Sequence, residues 1–375
     1  MKYIYFDQAA STKPLREVLE LFNQISIEHY ANPSALHIAG LEAERFLRKS
    51  SESIGRLLGV KSEEIYFTSG GTESNNLAIT GMAKARIRTH RHIITSASEH
   101  PSVTEVYKRL EAEGFSVTWL KGLFSHEEVY TALRDDTALV SIAHVNNEVG
   151  YIYDIKAIAK AVKAKSGAYF FADGVQGFGK ILVKLKYIDG YSFSGHKIGC
   201  IKGVGGLYLN SSLRIAPQIL GGGQQRNLRS GTENTASVAA LAKAAEIAFA
   251  SMEENRQKAV LVKDELLKLT DKLEDVHING NSSPYIINMS FLGVKSEVLL
   301  HSLAEAGILA SAGSACSSGK KDKEKNALYA MGYDKQIYES AVRFSFSPEN
   351  TVEEAKRAVE IICEKVNFLR KYKRK

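Results

Sequence analysis

Short apolar runs alternate with segments of helical periodicity along most of this chain. Glu64–Thr68, His92–Ser96, Ser116–Leu120, Ala138–Val145, Ala168–Ala172, Tyr191–Phe193 and Gly205–Leu209 read as strands. Between them, Thr72–Ala85, Pro101–Glu113, His126–Leu133 and Asp154–Lys165 carry the spacing of amphipathic helices. Proline at position 101 stands in a first turn, where its missing N–H costs nothing. Strands alternating with helices predict an α/β fold with a sheet wound by helices on both faces. Ahead of the series lie a strand at Tyr3–Phe6 and helices at Leu15–Glu28 and Leu41–Leu58, the two helices separated by the breaker Asn32-Pro-Ser34. From Asn234 the texture turns to long helical sequence through about Leu273. A strand Tyr285–Phe291, a helix Ser296–Ala306, a strand Ala341–Ser345 and a helix from Thr351 then predict a smaller α+β domain. The expected organisation is a large domain over residues 15–252 and a small one built from 1–14 and 253–375, with the joint near Ser251 to Asn255.

The length of 375 residues accommodates two such domains. Net charge is +7, and five of the last six residues (Arg370, Lys371, Lys373, Arg374 and Lys375) are positive. A solvated terminus accounts for that run, although an acidic partner could also meet it. The remaining charge is mixed in sign, so no direct contact with nucleic acid is expected. Three cysteines, Cys200, Cys316 and Cys363, cannot build a disulfide framework and have no zinc spacing. No run approaches about 18 apolar residues, so no membrane span is expected. Met1–Ala10 lacks the apolar stretch of a signal peptide. The expected location is the cytoplasm.

The candidate chemistry sits where strands end. Tyr191-Ser-Phe-Ser-Gly-His-Lys197 delivers Lys197 into a polar turn, with Ser194 and His196 beside it. A lysine forms a Schiff base with a carbonyl cofactor once its pKa is lowered, though most loop lysines are plain surface residues. Ser69-Gly-Gly-Thr-Glu-Ser-Asn75 follows a strand and opens a helix, so its backbone N–H groups and Thr72 form a phosphate cup or an ordinary cap. It lacks both the Walker loop and the dinucleotide fingerprint. Glu99-His-Pro101 offers an imidazole, and His144-Val-Asn-Asn-Glu148 offers two amides that could equally be turn formers. Phe171-Ala-Asp-Gly-Val-Gln176 ends a buried strand in an acid that needs a partner. A protonated pyridine nitrogen is such a partner, and that ion pair is what pyridoxal phosphate requires. In a parallel sheet these ends gather on one edge, where ligands bind.

Two further segments stand apart. Ser311-Ala-Gly-Ser-Ala-Cys-Ser-Ser-Gly319 holds Cys316 among small residues, with Lys320, Lys321 and Lys323 just beyond. Small flanks leave the sulfur accessible and nearby cations favour thiolate, so Cys316 reads as reactive, in a mobile solvated loop. Cys363 among apolar neighbours reads as structural. Arg343 is a lone charge in an apolar strand, suited to a carboxylate or to an internal salt bridge.

Ser192-Phe-Ser-Gly-His-Lys197, His144-Val-Asn-Asn-Glu148, Arg229-Ser-Gly-Thr-Glu-Asn234 and Gly313-Ser-Ala-Cys316, in that company, resemble the NifS/IscS type of cysteine desulfurase, within the class V aminotransferase-like family. The resemblance runs nearly end to end. It implies the pyridoxal-phosphate-dependent transferase fold (fold type I), pyridoxal 5'-phosphate as cofactor and a homodimer. It implies Lys197 as the Schiff-base lysine, Asp173 at the pyridine nitrogen and His100 stacked on the ring. It places Gln176 and Asn147 at the phenolic oxygen and substrate. Gly71, Thr72, Ser194 and His196 would hold the phosphate, with Thr232 from a second subunit. Arg343 and Asn147 would bind the carboxylate of L-cysteine, and Cys316 would take the sulfur. A sulfur-acceptor protein is implied as partner: an iron–sulfur scaffold, a tRNA-thiolation enzyme or a thiamin-pathway carrier. Another lyase of the same fold, such as a selenocysteine lyase, would need Lys197 but not Cys316. No metal is implied. Two departures stand out: Gly199-Cys-Ile-Lys-Gly203 replaces the family's Gly-Pro-Lys-Gly run and puts Cys200 near the lysine, and the run Lys320–Lys325 is unusually charged.

Overall fold

The computed structural model describes residues 3–213, 215–312 and 326–372. Cys316 and its neighbours from 313 to 325 lie outside the described residues. A seven-stranded sheet is built from β2 (Ile65–Thr68), β3 (His92–Ser96), β4 (Ser116–Leu120), β5 (Thr137–Ala143), β6 (Tyr169–Asp173), β7 (Gly190–Ser194) and β8 (Gly205–Leu209). Its order is β2-β8-β7-β6-β5-β3-β4. Neighbours from β4 through β7 pair in parallel, and β8 runs antiparallel to both β7 and β2. Six strands therefore run one way and β8 opposes them, so β2, β3, β5, β6 and β7 all end on one edge.

Apart from the edge strand β4, the strands are buried on both faces, and the period of two sorts their side chains between two cores. Ile94, Val140, Phe170 and Tyr208 join α1 (Arg16–Glu28), α2 (Ile38–Leu58), α5 (His126–Ala132), α6 (Ile155–Lys165) and α7 (Thr235–Ala250) in one core. Their chain neighbours Ile93, Leu139, Phe171 and Leu207 meet α3 (Gly71–Ala85) and α4 (Pro101–Ala112) in the other. Each large apolar side chain so buried contributes about 1.5–3 kcal/mol.

A third core surrounds the antiparallel sheet β12-β10-β9, made of Ala341–Ser345, Ile286–Phe291 and Val276–Gly280. Val262 and Leu266 of α8 (Met252–Leu267), Leu299 of α10 (Ser296–Glu305) and Val359 of α13 (Val352–Tyr372) pack there. So do Ile4 and Phe6 from the chain start, because β1 (Ile4–Tyr5) pairs in parallel with β11 (Ile308–Leu309) and Asp7 bridges Ser345.

The long helical sequence read from Asn234 to about Leu273 is three helices, α7, α8 and α9 (Leu269–Lys272), and the first break falls at Ser251, where the joint was expected. The chain bends 70° between α7 and the helical sequence after it, at Ser251, whose hydroxyl donates back to Ile247 O and accepts from Asn255 Nδ2. Pattern alone misses β9, whose His277 and Asn279 break the apolar run at a sheet edge. The two-residue β11 and the short α11 (Ala327–Ala330) and α12 (Lys335–Glu339) are equally too brief to leave a period. Among the described residues, no single helix is long and apolar enough to cross a membrane.

Candidate active site

The shared strand edge opens into a cavity of about 390 Å³. Gly71, Thr72, His100, Asn147, Asp173, Gln176, Ser194, His196, Lys197 and Arg343 line it, which is every site residue expected from the sequence except Thr232 and Cys316. Thr232 is exposed and stands outside the cavity wall of this chain. Ser311 lines the cavity and pairs with the Arg343 backbone.

The floor begins at β2. Gly70, the N-cap of α3, has φ 153° and ψ −176°, a combination only glycine adopts freely. The first N–H groups of α3 have no intrahelical partners, and its first residues, Gly71 and Thr72, line the cavity. Ser194 Oγ is buried beside them with no hydrogen-bond partner. A free hydroxyl and a helix N-terminus together suit an anion.

At the end of β6, Asp173 is 7% exposed. Its Oδ1 accepts from Val175 N at 3.0 Å and its Oδ2 from Asn75 Nδ2 at 2.8 Å. Asn75, Ser102 and Ser192 surround it and were not singled out from sequence. Position and period could have found two of them. Asn75 lies one turn after Gly71 on the same helix face, and Ser192 lies two residues before Ser194 on the same strand face.

His100 is the N-cap of α4, with Nδ1 accepting from Ser102 N at 3.1 Å. Its ring is exposed to the cavity, yet the surrounding walls desolvate it and hold its pKa below the ordinary 6.5. Asp173 opposes that shift, while Lys197 and Arg343 add to it. Of the two adjacent amides, Asn146 is the turn former: its Oδ1 accepts from Glu148 N and Val149 N, both at 2.9 Å. Asn147 is the one that lines the cavity.

Lys197 follows β7 in a single helical turn, Gly195–Lys197. Its Nζ donates to the carbonyls of Ala9 at 2.5 Å and Ala10 at 2.8 Å. Burial brings its pKa down to about 8, and the charge of Arg343 pushes the same way. Gln176 Nε2 donates to the Ala9 carbonyl too, at 2.9 Å, and its buried Oε1 has no partner. The Gln176 atom left for a ligand is thus an acceptor. Burial, then Lys197, Lys202 and Lys180, brings His196 down to about 4, so it is a neutral ring at the cup.

Arg343 is 5% exposed and engaged on two sides: Nη2 pairs with Asp7 Oδ1 at 2.8 Å and Nη1 donates to Asn147 O at 2.8 Å. The internal salt bridge that sequence left open is therefore present. Its buried Nε has no partner. Cys200 packs in the core with no exposure, and burial raises its thiol to about 12, which describes a packing residue. Among the described residues, no three His, Cys, Asp or Glu side chains are placed to hold a metal ion.

This fold and edge site are those of an aminotransferase-like enzyme, and the chain belongs to the class-V aminotransferase family, whose model matches residues 4–358. Within it, the similarity is to cysteine desulfurases of the NifS/IscS type. The chain is 41% identical over 363 residues to a NifS/IcsS protein homolog of Lactobacillus delbrueckii subsp. bulgaricus, covering 94% of each. It is 37% identical over 378 residues to the cysteine desulfurase IscS of Methanosarcina thermophila, covering 98% of this chain and 93% of the relative. A solved NifS-like protein superposes with a TM-score of 0.91 at 34% identity, over 98% of this chain and 100% of the other. Enzymes of these families depend on pyridoxal phosphate.

Proposed function

We propose that this chain is a pyridoxal 5'-phosphate-dependent cysteine desulfurase that converts L-cysteine to L-alanine and leaves the sulfur as a persulfide on Cys316. The observation that carries the reading is the meeting, in one cavity, of Lys197, Asp173 and an unpartnered Ser194 hydroxyl beside a helix N-terminus. The donor set fits the cofactor. Gly71, Thr72, Ser194 and His196 would hold its phosphate, Asp173 its ring nitrogen, His100 its ring face, and Asn147 and Gln176 the phenolic oxygen. The unpartnered Gln176 Oε1 suits a hydroxyl donor there. Bound at this place, pyridoxal phosphate supplies an electron sink conjugated to the carbon that carries the substrate amine.

The chain's own residues supply the rest. Arg343 takes the substrate carboxylate with the Nε–H it has unpaired, beside Asn147, and so orients the cysteine. Lys197, neutral above about pH 8, removes the α-proton at Nζ. Cys316 stands five residues beyond Ser311, which lines the cavity, a covalent reach of at most about 18 Å from that point. Its thiolate attacks the substrate sulfur. Cysteine plus the Cys316 thiol gives alanine plus the Cys316 persulfide, which balances without another oxidant or reductant.

The same reading makes residues 15–252 the cofactor-binding domain and joins 1–14 to 253–375, in keeping with the core that Ile4 and Phe6 enter. It makes the protein a cytoplasmic homodimer in which Thr232 serves the neighbouring phosphate site. The persulfide passes to an acceptor protein for iron–sulfur cluster assembly or tRNA thiolation. The test is to supply L-cysteine to purified Cys316→Ala with pyridoxal phosphate bound. The expected result is loss of sulfide and alanine output with the cofactor absorbance intact. Normal output from that variant rules the scheme out.

A further inference from the structure

Asn75 lies inside α3, 1% exposed, with its amide facing residues from three other segments. Nδ2 donates to Asp173 Oδ2 at 2.8 Å and to Ser102 Oγ at 2.9 Å, and Oδ1 accepts from Ser192 Oγ at 2.7 Å. The reversed amide would aim its oxygen at a carboxylate oxygen, which has no proton to offer. Asp173 therefore fixes which way Asn75 points. With Asn75 donating into it, the Ser102 hydroxyl keeps its own proton free for His100 Nδ1, 2.8 Å away. The Ser102 backbone N–H donates to that same nitrogen at 3.1 Å. Nδ1 accepts twice, so a neutral His100 carries its proton on Nε2. Asn75 and Ser192 are 1% and 0% exposed, so their bonds are shielded from water, while Ser102, at 8%, stands at the cavity wall.

We infer that Asn75 is a positioning residue that sets proton placement on two sides of the site: it presents Asp173 as an acceptor, and through Ser102 it keeps His100 neutral with Nε2–H. This deepens the proposed function and rests on it for what the two residues face. The physical need is clear from charge. An imidazolium stacked on a ring with a protonated nitrogen would set two cations against each other. The charged groups around His100 are Asp173, which favours the cation, and Lys197 and Arg343, which oppose it. The Asn75–Ser102 bridge adds a hydrogen bond that only the neutral ring can accept.

The test reads ring nitrogens by NMR in histidine-labelled protein freed of cofactor, with His100→Gln to assign the signal. In the wild type, His100 should show a proton on Nε2 and none on Nδ1, and should charge only below the ordinary histidine midpoint. In Ser102→Ala and in Asn75→Ala that midpoint should rise by about half to one pH unit, the worth of one hydrogen bond. With cofactor added, Asn75→Ala should also bind pyridoxal phosphate about tenfold more weakly, because Asp173 loses its orienting donor. A proton on Nδ1 in the wild type, or an unshifted midpoint in Asn75→Ala, overturns the assignment. Should Asn75→Ala fail to fold, Ser102→Ala decides alone, and an unshifted midpoint there overturns it equally. A wild type with the expected tautomer that took up no cofactor would uphold this proton placement and overturn the proposed function.

Discussion

Arg343 Nη2 lies 2.8 Å from Asp7 Oδ1, joining the last strand of the smaller sheet to the start of the chain. The guanidinium is thereby aimed before any ligand arrives, with Nη1 tied to Asn147 O and Nε unpaired. Lysine has no such fork. Arg343→Lys is expected to raise KM for L-cysteine about tenfold or more while changing kcat less, as measured by steady-state alanine release. An unchanged KM would remove Arg343 from the substrate site. Asp7→Ala leaves the buried guanidinium without its anion, and a loss of about 1–3 kcal/mol is expected in denaturant unfolding.

The amine of Lys197 sits near pKa 8 because burial and Arg343 both disfavour its charged form. Below that pH it is protonated and cannot act as nucleophile; above it the free amine dominates. The rate at which cofactor-free protein captures pyridoxal phosphate should therefore climb with pH through about 8 and then level, followed by stopped-flow absorbance. An Arg343→Ala protein should show the climb at higher pH. A climb centred at the ordinary lysine value in the wild type would contradict the desolvated site.

Gly70→Ala should weaken the phosphate cup through backbone strain. A Cβ there would meet Ser194 Oγ at 3.7 Å, an ordinary contact, so space is not the obstacle. The obstacle is φ 153° with ψ −176°, which costs an alanine on the order of 1–3 kcal/mol. The expected outcome is a pyridoxal phosphate Kd raised about tenfold, read by equilibrium dialysis, with the fold retained. Wild-type affinity would mean the anion site does not depend on this turn.

Cys200 and Cys316 should differ sharply toward alkylating reagents. Cys200 has no exposure and its thiol is pushed up to about 12. Peptide mapping after brief iodoacetamide treatment of the folded protein should find label on Cys316 and none on Cys200. Cys200→Ser is expected to lose about 1–3 kcal/mol of stability, since a hydroxyl replaces an apolar thiol in the core. Label on Cys200 in folded protein would reopen a reactive role for it.

Local pattern carried a large part of this molecule. His92–Ser96, Ser116–Leu120, Gly205–Leu209 and Ala341–Ser345 are strands at the bounds read from the chain, because short apolar runs between turn residues leave the backbone few alternatives. Lys197, Asp173 and His100 were legible for a related reason: each is a polar group at the end of an apolar strand or next to the helix after it, where it must meet a ligand or a partner. The edge strand β9 was not legible, because it depends on a neighbour to pair with.

The amino-acid order by itself determined the alternation of strands and helices and the chemical groups at their ends, since both follow from propensity and period within a few residues. Only the tertiary structure decided that Ala9 would hold both Lys197 and Gln176, that Asp7 would occupy Arg343, and that Asn75 would stand between Asp173 and Ser102. These bonds join residues far apart along the chain. Their geometry is set by how the sheet stacks its neighbours, a quantity no local window contains.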